Sequence, residues 1–187
     1  MKKGLILNFS PNKKGNSCYI AKEIYKNLKK NFVLDLINID DLKIYRCRGC
    51  QSYCYKYGRC KIRDDMENLY EHFENDDILV FVTPVYFYHI PGYAKIMIDR
   101  CQPYWVRKYV FGEFNMKRKL GSIIAIGATK GKKLFSGINL TMKYFFDIFN
   151  IIFDKNKNLY FCNVESKKDF INFRVIINSY VKAFKKS

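Results

Sequence analysis

The sequence is organised as short apolar segments that alternate with segments of helical periodicity. Strands are predicted at residues 3–9, 33–39, 77–83, 120–127 and 158–164, and helices at 17–30, 65–75, 92–101, 134–149 and in the C-terminal segment. Strands that alternate with helices pair in parallel, because each helix carries the chain back across the sheet. We therefore predict an α/β fold, a three-layer sandwich around a five-stranded parallel sheet in the order 2-1-3-4-5.

The length and the charge limit the class of protein further. A chain of 187 residues of which 49% are hydrophobic is long enough to bury a core, and we expect one domain over residues 1–187. The formal net charge is +17, which favours an acidic protein partner or a phosphorylated cofactor. The lysines are dispersed and no nucleic-acid-binding motif is present, so we predict no nucleic-acid partner.

The N-terminal segment indicates the cellular compartment of the protein. Its apolar run, residues 4–9, is too short for the apolar region of a signal peptide and ends at Ser10-Pro11. No apolar stretch approaches the roughly 20 residues needed to span a bilayer, so we predict no membrane partner. We expect a cytoplasmic protein, and the reducing conditions there argue against disulfides.

The loop after the first predicted strand has the composition of a phosphate site. In parallel sheets, ligands bind beyond the carboxyl ends of the strands where the strand order reverses. The loop "SPNKKGNS", residues 10–17, lies at that point and offers hydroxyl, amide and ammonium donors from Ser10, Asn12, Lys14, Asn16 and Ser17. Gly15 allows close approach of the backbone, and the following helix directs free N–H groups at the same point. An ordinary capped helix start is the alternative.

The loops after the third and fourth strands add a site for a flat ring. Tyr86, Phe87 and Tyr88 follow a buried strand and can pack on a planar ligand, whereas local aromatic packing is the alternative. His89 comes next, and we interpret it as a local hydrogen-bond partner, with proton transfer near the ligand as the alternative. The loop "GATKGK", residues 127–132, allows close approach at its glycines. A phosphate at one end and a planar ring at the other describe flavin mononucleotide, FMN.

The long connection between the second strand and the second helix holds four cysteines. We call residues 44–63 the cysteine segment; its cysteines, Cys47, Cys50, Cys54 and Cys60, have the spacing C-x2-C-x3-C-x5-C. Loops of this length usually have a function. Four thiolates suit a 4Fe–4S cluster or a structural zinc ion, and a segment without metal is the third alternative.

Three motifs in order resemble a known family. "SPNKKGNS", the cysteine segment running into "IRDDM", and "PVYF" followed by "YAKIMIDR" resemble the flavodoxin-like NAD(P)H-dependent FMN reductase superfamily, in its iron–sulfur flavoprotein branch, over residues 3–131. The resemblance implies that the phosphate of FMN is surrounded by Ser10, Asn12, Lys14, Asn16 and Ser17, with Gly15 in the same loop. It also implies that the ribityl chain and ring are lined by Pro84, Val85, Tyr86, Phe87, Ala128, Thr129 and Gly131.

For the cysteine segment, the resemblance implies a 4Fe–4S cluster ligated by Cys47, Cys50, Cys54 and Cys60. The branch has two residues between the second and third cysteines, whereas this chain has three, Gln51-Ser52-Tyr53. One additional residue is either absorbed by a flexible loop or moves Cys54 away from the other ligands. This stretch is therefore where the cluster hypothesis is weakest.

The function that follows is an FMN-dependent oxidoreductase or electron-transfer flavoprotein, linked to NAD(P)H or to a ferredoxin-like protein. The cofactor performs the chemistry, so we name no catalytic residue. Two alternatives stay open: a clusterless NAD(P)H-dependent FMN or quinone reductase, and a non-enzymatic electron carrier of the flavodoxin type. The electron acceptor is expected to be a small molecule or a ferredoxin-like protein. The family implies a homodimer or homotetramer.

Overall fold

The computed structural model describes residues 1–170 and 173–185. In these residues the strands are β1 (Lys3–Asn8), β2 (Val33–Asn38), β3 (Ile78–Pro84), β4 (Lys119–Ile126), β5 (Ile151–Ile152) and β6 (Leu159–Phe161). The α-helices are α1 (Asn16–Leu28), α2 (Gln51–Tyr57), α3 (Met66–Asn75), α4 (Gly92–Asp99), α5 (Gln102–Tyr109), α6 (Ser136–Ile148) and α7 (Phe173–Lys185). None of the helices in this part of the chain is long and apolar enough to cross a membrane.

The strands form one parallel sheet in the order β2-β1-β3-β4-β5, which confirms the predicted strand order and the α/β fold. One part of the prediction is wrong: the sheet has six strands rather than five, because β5 and β6 both pair with β4. The prediction of a single domain over residues 1–187 extends beyond the described residues and stays a prediction.

Two short strands share the position beside β4, because the chain leaves the sheet after β5 and pairs with β4 again at β6. Side chains bridge the gap: the Ser122 hydroxyl donates to the Lys157 carbonyl, and the Ile123 N–H donates to the Asn158 side-chain oxygen at 2.8 Å. The second bond satisfies a backbone N–H of β4 that a continuous fifth strand could have paired. The predicted strand at residues 158–164 is thus shortened to Leu159–Phe161.

The sheet buries apolar side chains on both faces, as a three-layer sandwich requires. Alternate residues of a strand point to opposite faces. Leu5 and Leu7 therefore join the cluster that includes residues of α3, α4 and α6, whereas Ile6 joins the cluster that includes residues of α1 and α7. β3 is buried along Ile78–Thr83 because helices cover both of its faces.

A helix that the sequence reasoning missed follows α4. The prediction was one helix over residues 92–101, but α4 ends at Asp99 and α5 begins at Gln102 with Pro103 in its first turn. Proline is favoured at the start of a helix because its missing N–H has no partner there anyway. Pro103 lies in the first turn of α5 for this reason. The side chains of α5 pack beside the cysteine segment.

Candidate functional site

Three loops meet at the carboxyl edge of the sheet. The register of β1 with β3 pairs Asn8 with Val82, and that of β3 with β4 pairs Pro84 with Ile126. The pairing continues one residue further, where the Val85 N–H donates to the Ile126 carbonyl at 2.9 Å. The β1–α1 loop, the β3–α4 loop and the β4–α6 loop therefore begin side by side, as predicted from the strand order.

The β1–α1 loop is ordered by its own short hydrogen bonds. The Asn12 N–H donates to the Ser10 hydroxyl at 3.2 Å, and the Lys14 N–H donates to the Asn12 side-chain oxygen at 2.9 Å. The Gly15 N–H donates to the Asn12 carbonyl, and a Cβ at Gly15 would lie 3.2 Å from that same oxygen. The loop is a tight turn that directs the chain into α1.

The start of α1 has no acidic side chain and no side-chain cap. Ser10 and Ser17 are nevertheless buried there, with relative exposures of 4% and 3%. Free N–H groups at a helix start attract an anion, and hydroxyl and amide side chains add further donors. The N-cap residue is Gly15, which has no side chain that could cap the helix.

The β3–α4 loop begins with a two-residue hairpin, residues 86–89, which we call the aromatic hairpin. Tyr86 and His89 exchange two backbone hydrogen bonds of 2.9 Å each. The two residues of the turn, Phe87 and Tyr88, have φ angles of 48° and 62°. Positive φ costs a residue other than glycine roughly 1–2 kcal/mol, so this turn stores strain that the surrounding contacts must offset.

The aromatic hairpin is held against the β4–α6 segment by two glycines. A Cβ at Gly131 would lie 2.4 Å from the Tyr88 hydroxyl, and one at Gly137 would lie 2.6 Å from the Tyr88 carbonyl. Position 137 therefore needs glycine, because the atom it faces is backbone, whereas a side chain at position 131 would displace the half-exposed Tyr88 ring. Gly131 was predicted at the site on the grounds of close approach to a ligand, but the group that approaches it in the structure is Tyr88. Ala128 and Thr129, in the same loop, are exposed.

A side-chain hydrogen bond completes this contact. His89 Nε2 lies 2.8 Å from the Thr141 hydroxyl of α6. The interpretation of His89 as a local hydrogen-bond partner is thus confirmed. Thr141 and Gly137 were missed by the sequence reasoning, because they lie about fifty residues further along the chain and belong to no motif.

The cysteine segment contains a helix that was not predicted. α2 begins at Gln51, directly after Cys50, so the three residues between Cys50 and Cys54 form one helical turn. Residues four apart on a helix are neighbours on its surface. Cys50 thus lies directly before α2 and Cys54 lies within it.

The four cysteines share one neighbourhood. Burial, followed by the nearby thiols of Cys60, Cys50 and Cys47, raises the pKa of the Cys54 thiol to about 11. Within residues 1–170 and 173–185, however, no three His, Cys, Asp or Glu side chains are arranged to hold a metal ion. The thiols are near one another without converging on one point.

A buried ion pair fastens the two ends of the cysteine segment. The Arg100 guanidinium donates to the Asp64 carboxylate at 2.5 Å, to the Tyr45 carbonyl at 2.7 Å and to the Ile62 carbonyl at 3.1 Å. Burial opposes ionisation of Asp64, but the hydrogen bond from Arg100 and backbone N–H donors hold the pKa of the carboxyl below its usual value. Arg100 Nε, also buried, has no partner in the described chain.

The comparison with protein families decides the assignment. The sequence profile described as NADPH-dependent FMN reductase matches residues 3–140. The chain belongs to this family. The match covers all three loops of the carboxyl edge and the cysteine segment, so the resemblance read from the motifs is confirmed.

Relatives with curated names place the chain nearer to one branch of the FMN reductase family. Two proteins of Archaeoglobus fulgidus named iron-sulfur flavoprotein are 33% and 29% identical to it. The alignments cover 66% and 73% of this chain and 53% and 65% of those relatives. The chain thus spans about half to two thirds of the length of the curated relatives it matches.

A solved structure supports the fold. The NAD(P)H:quinone oxidoreductase from Methanothermobacter marburgensis has a TM-score of 0.73 at 11% identity, over 97% of this chain and 94% of that one. At this identity the likeness shows the shared fold.

The residues at the carboxyl edge fit FMN, the cofactor of the family. The uncapped start of α1 suits its phosphate, and the aromatic side chains beside it suit a flat ring. The cysteine segment fits a 4Fe–4S cluster in its donor chemistry but not in its arrangement, because the four thiols do not form a metal site as they stand.

Proposed function

We propose that this protein is an FMN-dependent oxidoreductase that takes electrons from NAD(P)H and passes them to an acceptor. One observation carries the proposal: an uncapped helix start with two buried serines lies at the same sheet edge as exposed aromatic side chains. Bound FMN would supply the hydride and electron transfer. The chain itself binds and orients the cofactor.

Each loop has a separate part in this proposal. The phosphate is held at the start of α1 by the β1–α1 loop, whose members are Ser10, Asn12, Lys14, Gly15, Asn16 and Ser17. The ribityl chain and ring are contacted from β3 and from the β4–α6 loop, by Pro84, Val85, Tyr86, Ala128, Thr129 and Gly131. Phe87, at the tip of the aromatic hairpin, contacts the ring together with these residues.

The donor and the partners follow from the charge of the chain. A formal net charge of +17 favours NADPH over NADH, because NADPH carries an additional phosphate. The same charge favours an acidic electron-transfer protein of the ferredoxin type where the acceptor is a protein. Location in the cytoplasm and assembly as a homodimer or homotetramer stay predictions.

The double change Asn16→Ala and Ser17→Ala tests the phosphate site. Each hydrogen bond to a charged group contributes roughly 1.5–3 kcal/mol, so the Kd for FMN should rise at least about tenfold. Flavin fluorescence titration of the FMN-free protein measures it. Lys22→Ala, an exposed change on the same helix, is the control and should leave the Kd unchanged. An unchanged Kd in the double variant would reject the phosphate site.

We further propose that the cysteine segment closes around a 4Fe–4S cluster when iron and sulfide are supplied. The names of the relatives support it, as do four thiols in one neighbourhood. Bringing the thiols together requires a rearrangement of the segment, which contains glycines with positive φ at Gly49 and Gly58.

Metal analysis of anaerobically purified protein tests the cluster. We expect about four irons and four sulfides per chain, and a loss of both in Cys54→Ser. Cys162→Ser, at an exposed cysteine outside the segment, should retain them. Zinc in place of iron would support the alternative that the four thiolates bind a structural zinc ion. A cysteine segment without metal, in a protein that still oxidises NADPH, would support the alternative of a clusterless reductase.

A further inference from the structure

A pair of asparagine side chains lies at the carboxyl ends of β1 and β2. Asn8 and Asn38 are the last residues of the two strands, and they are partners in the strand register. The Asn8 Nδ2 donates to the Asn38 Oδ1 at 3.0 Å. Asn8 is completely buried, with a relative exposure of 0%. A buried amide costs free energy unless its polar atoms have partners, so the partners of this pair indicate its role.

The oxygen of the Asn8 side chain directs the backbone out of the sheet. The Phe9 N–H still bonds to the sheet, at the Val82 carbonyl, with a distance of 2.8 Å. The next N–H, that of Ser10, donates instead to the Asn8 Oδ1 at 3.3 Å, and this bond is buried. Such a turn, in which a side-chain oxygen accepts the N–H two residues further on, is typical of asparagine. Asn8 thus fixes the first residue of the β1–α1 loop.

Asn38 connects the amide pair to the rest of the loop and to the helix. Its Oδ1 also accepts a weak bond from the Cys18 thiol, in the first turn of α1, at 3.9 Å. Its Nδ2 donates to the Asp41 carboxylate at 3.1 Å, and Asp41 forms an ion pair with Lys13 in the middle of the loop. Bonds from the two amides thus reach the beginning of the loop, its middle and the first turn of α1.

The buried and the exposed parts of this network contribute differently. Both side chains of the Lys13–Asp41 pair are about half exposed, and exposed ion pairs add little to stability. The Asn8 amide is fully buried, so loss of its partner would leave a polar group without a hydrogen bond inside the protein. The two asparagines therefore hold the loop, and the ion pair adds little.

We propose that Asn8 and Asn38 are positioning residues that pre-organise the β1–α1 loop for the phosphate of FMN and so determine the preference for FMN over riboflavin. This inference rests on the proposed function, which places the phosphate at the start of α1. The phosphate is the group by which the two flavins differ. A loop that is already held in its binding conformation loses less conformational entropy when the ligand binds. Loss of the amide pair should therefore weaken the phosphate contacts and leave those of the ring unchanged.

The test compares the binding of FMN and of riboflavin to the FMN-free protein by flavin fluorescence titration. Asn38→Leu removes the amide pair by a change on β2, outside the β1–α1 loop. A hydrogen bond between neutral groups changes an equilibrium constant about three- to tenfold, so the Kd for FMN should rise by this factor. The Kd for riboflavin should stay unchanged, because riboflavin has no phosphate.

Two further variants accompany Asn38→Leu. Asn8→Leu removes the same amide pair from the other strand and also the bond to the Ser10 N–H, so the Kd for FMN should rise at least as far. Asn27→Leu is the matched control, because the Asn27 Nδ2 donates to the Glu23 carbonyl at 2.8 Å in a part-buried bond near the other end of α1. This variant should leave both Kd values unchanged.

A purely structural role of the amide pair would give a different result. It would raise the Kd for both flavins to the same extent, which would overturn the proposal, as would an unchanged Kd for FMN in Asn38→Leu. If riboflavin binds the wild-type protein too weakly to titrate, the Tm of the FMN-free proteins decides. A loss of Tm in Asn38→Leu no greater than in Asn27→Leu, together with the raised Kd for FMN, supports positioning, and a greater loss overturns it. Absence of FMN binding in the wild-type protein would instead reject the proposed function itself, and this inference with it.

Discussion

At the scale of single residues, one titrating pair affects stability across the physiological pH range. His72 Nδ1 lies 2.8 Å from the Asp76 carboxylate at the end of α3, and both side chains are largely buried. The hydrogen bond to Asp76 is the largest cause that raises the pKa of His72 above 6.5, although burial opposes it. Histidine with a raised pKa stabilises the fold in its charged form.

The expected consequence is a stability difference that depends on pH. The contribution of His72 is fully present below about pH 6.5 and is lost as the pH rises through the raised pKa. The free energy of unfolding of wild-type protein should therefore exceed that of His72→Asn by on the order of 1 kcal/mol near pH 5.5, with a smaller excess near pH 8.5. Urea unfolding at the two pH values measures the difference. A difference that grows with pH would contradict it.

At the scale of elements, the Asp64–Arg100 pair decides how the cysteine segment is attached. Both side chains are almost fully buried, at 2% and 0% exposure, and the same guanidinium binds backbone carbonyls on either side of the segment. Removing one partner of such a pair leaves an uncompensated buried charge. The two ends of the cysteine segment are thus fixed to Arg100 of the core.

Asp64→Ala should accordingly lower the free energy of unfolding by about 3–5 kcal/mol. The matched control is Asp99→Ala, which removes an ion pair with Lys95 on the neighbouring α4. That pair is exposed, so the control should lose less than about 1 kcal/mol. Denaturant unfolding of both variants gives the comparison, and similar losses in the two would show that burial of the Asp64–Arg100 pair is not what matters.

At the scale of the whole molecule, the net charge of +17 acts against compactness. Like charges repel one another more strongly in the folded state than in the expanded unfolded state. Raising NaCl from about 10 to about 150 mM shortens the screening length from roughly 30 to 8 Å. We expect the Tm of the FMN-free protein at pH 7 to rise with this change. Near the isoelectric point of about 9.5 the rise should disappear, because the net charge is then close to zero. A salt effect of equal size at both pH values would exclude net repulsion as its cause.

The sequence by itself determined the order of the sheet and the place of the cofactor edge. Both follow from local patterns: apolar runs specify strands, helical periodicity specifies crossovers, and parallel crossovers have one handedness. The composition of the β1–α1 loop could be interpreted for the same reason, since a helix start and its hydrogen-bond donors lie within eight consecutive residues, 10–17.

Tertiary structure alone decided the features that depend on distant residues. The division of the last strand involves hydrogen bonds between β4 and residues 35 positions away along the chain. The aromatic hairpin depends on glycines and a threonine from another loop and helix. The cysteine spacing could be taken from the sequence, but the helix α2 within the segment and the attachment of the segment to Arg100 could not. Sequence patterns report what neighbours along the chain can do, whereas these features arise where separate elements are packed together.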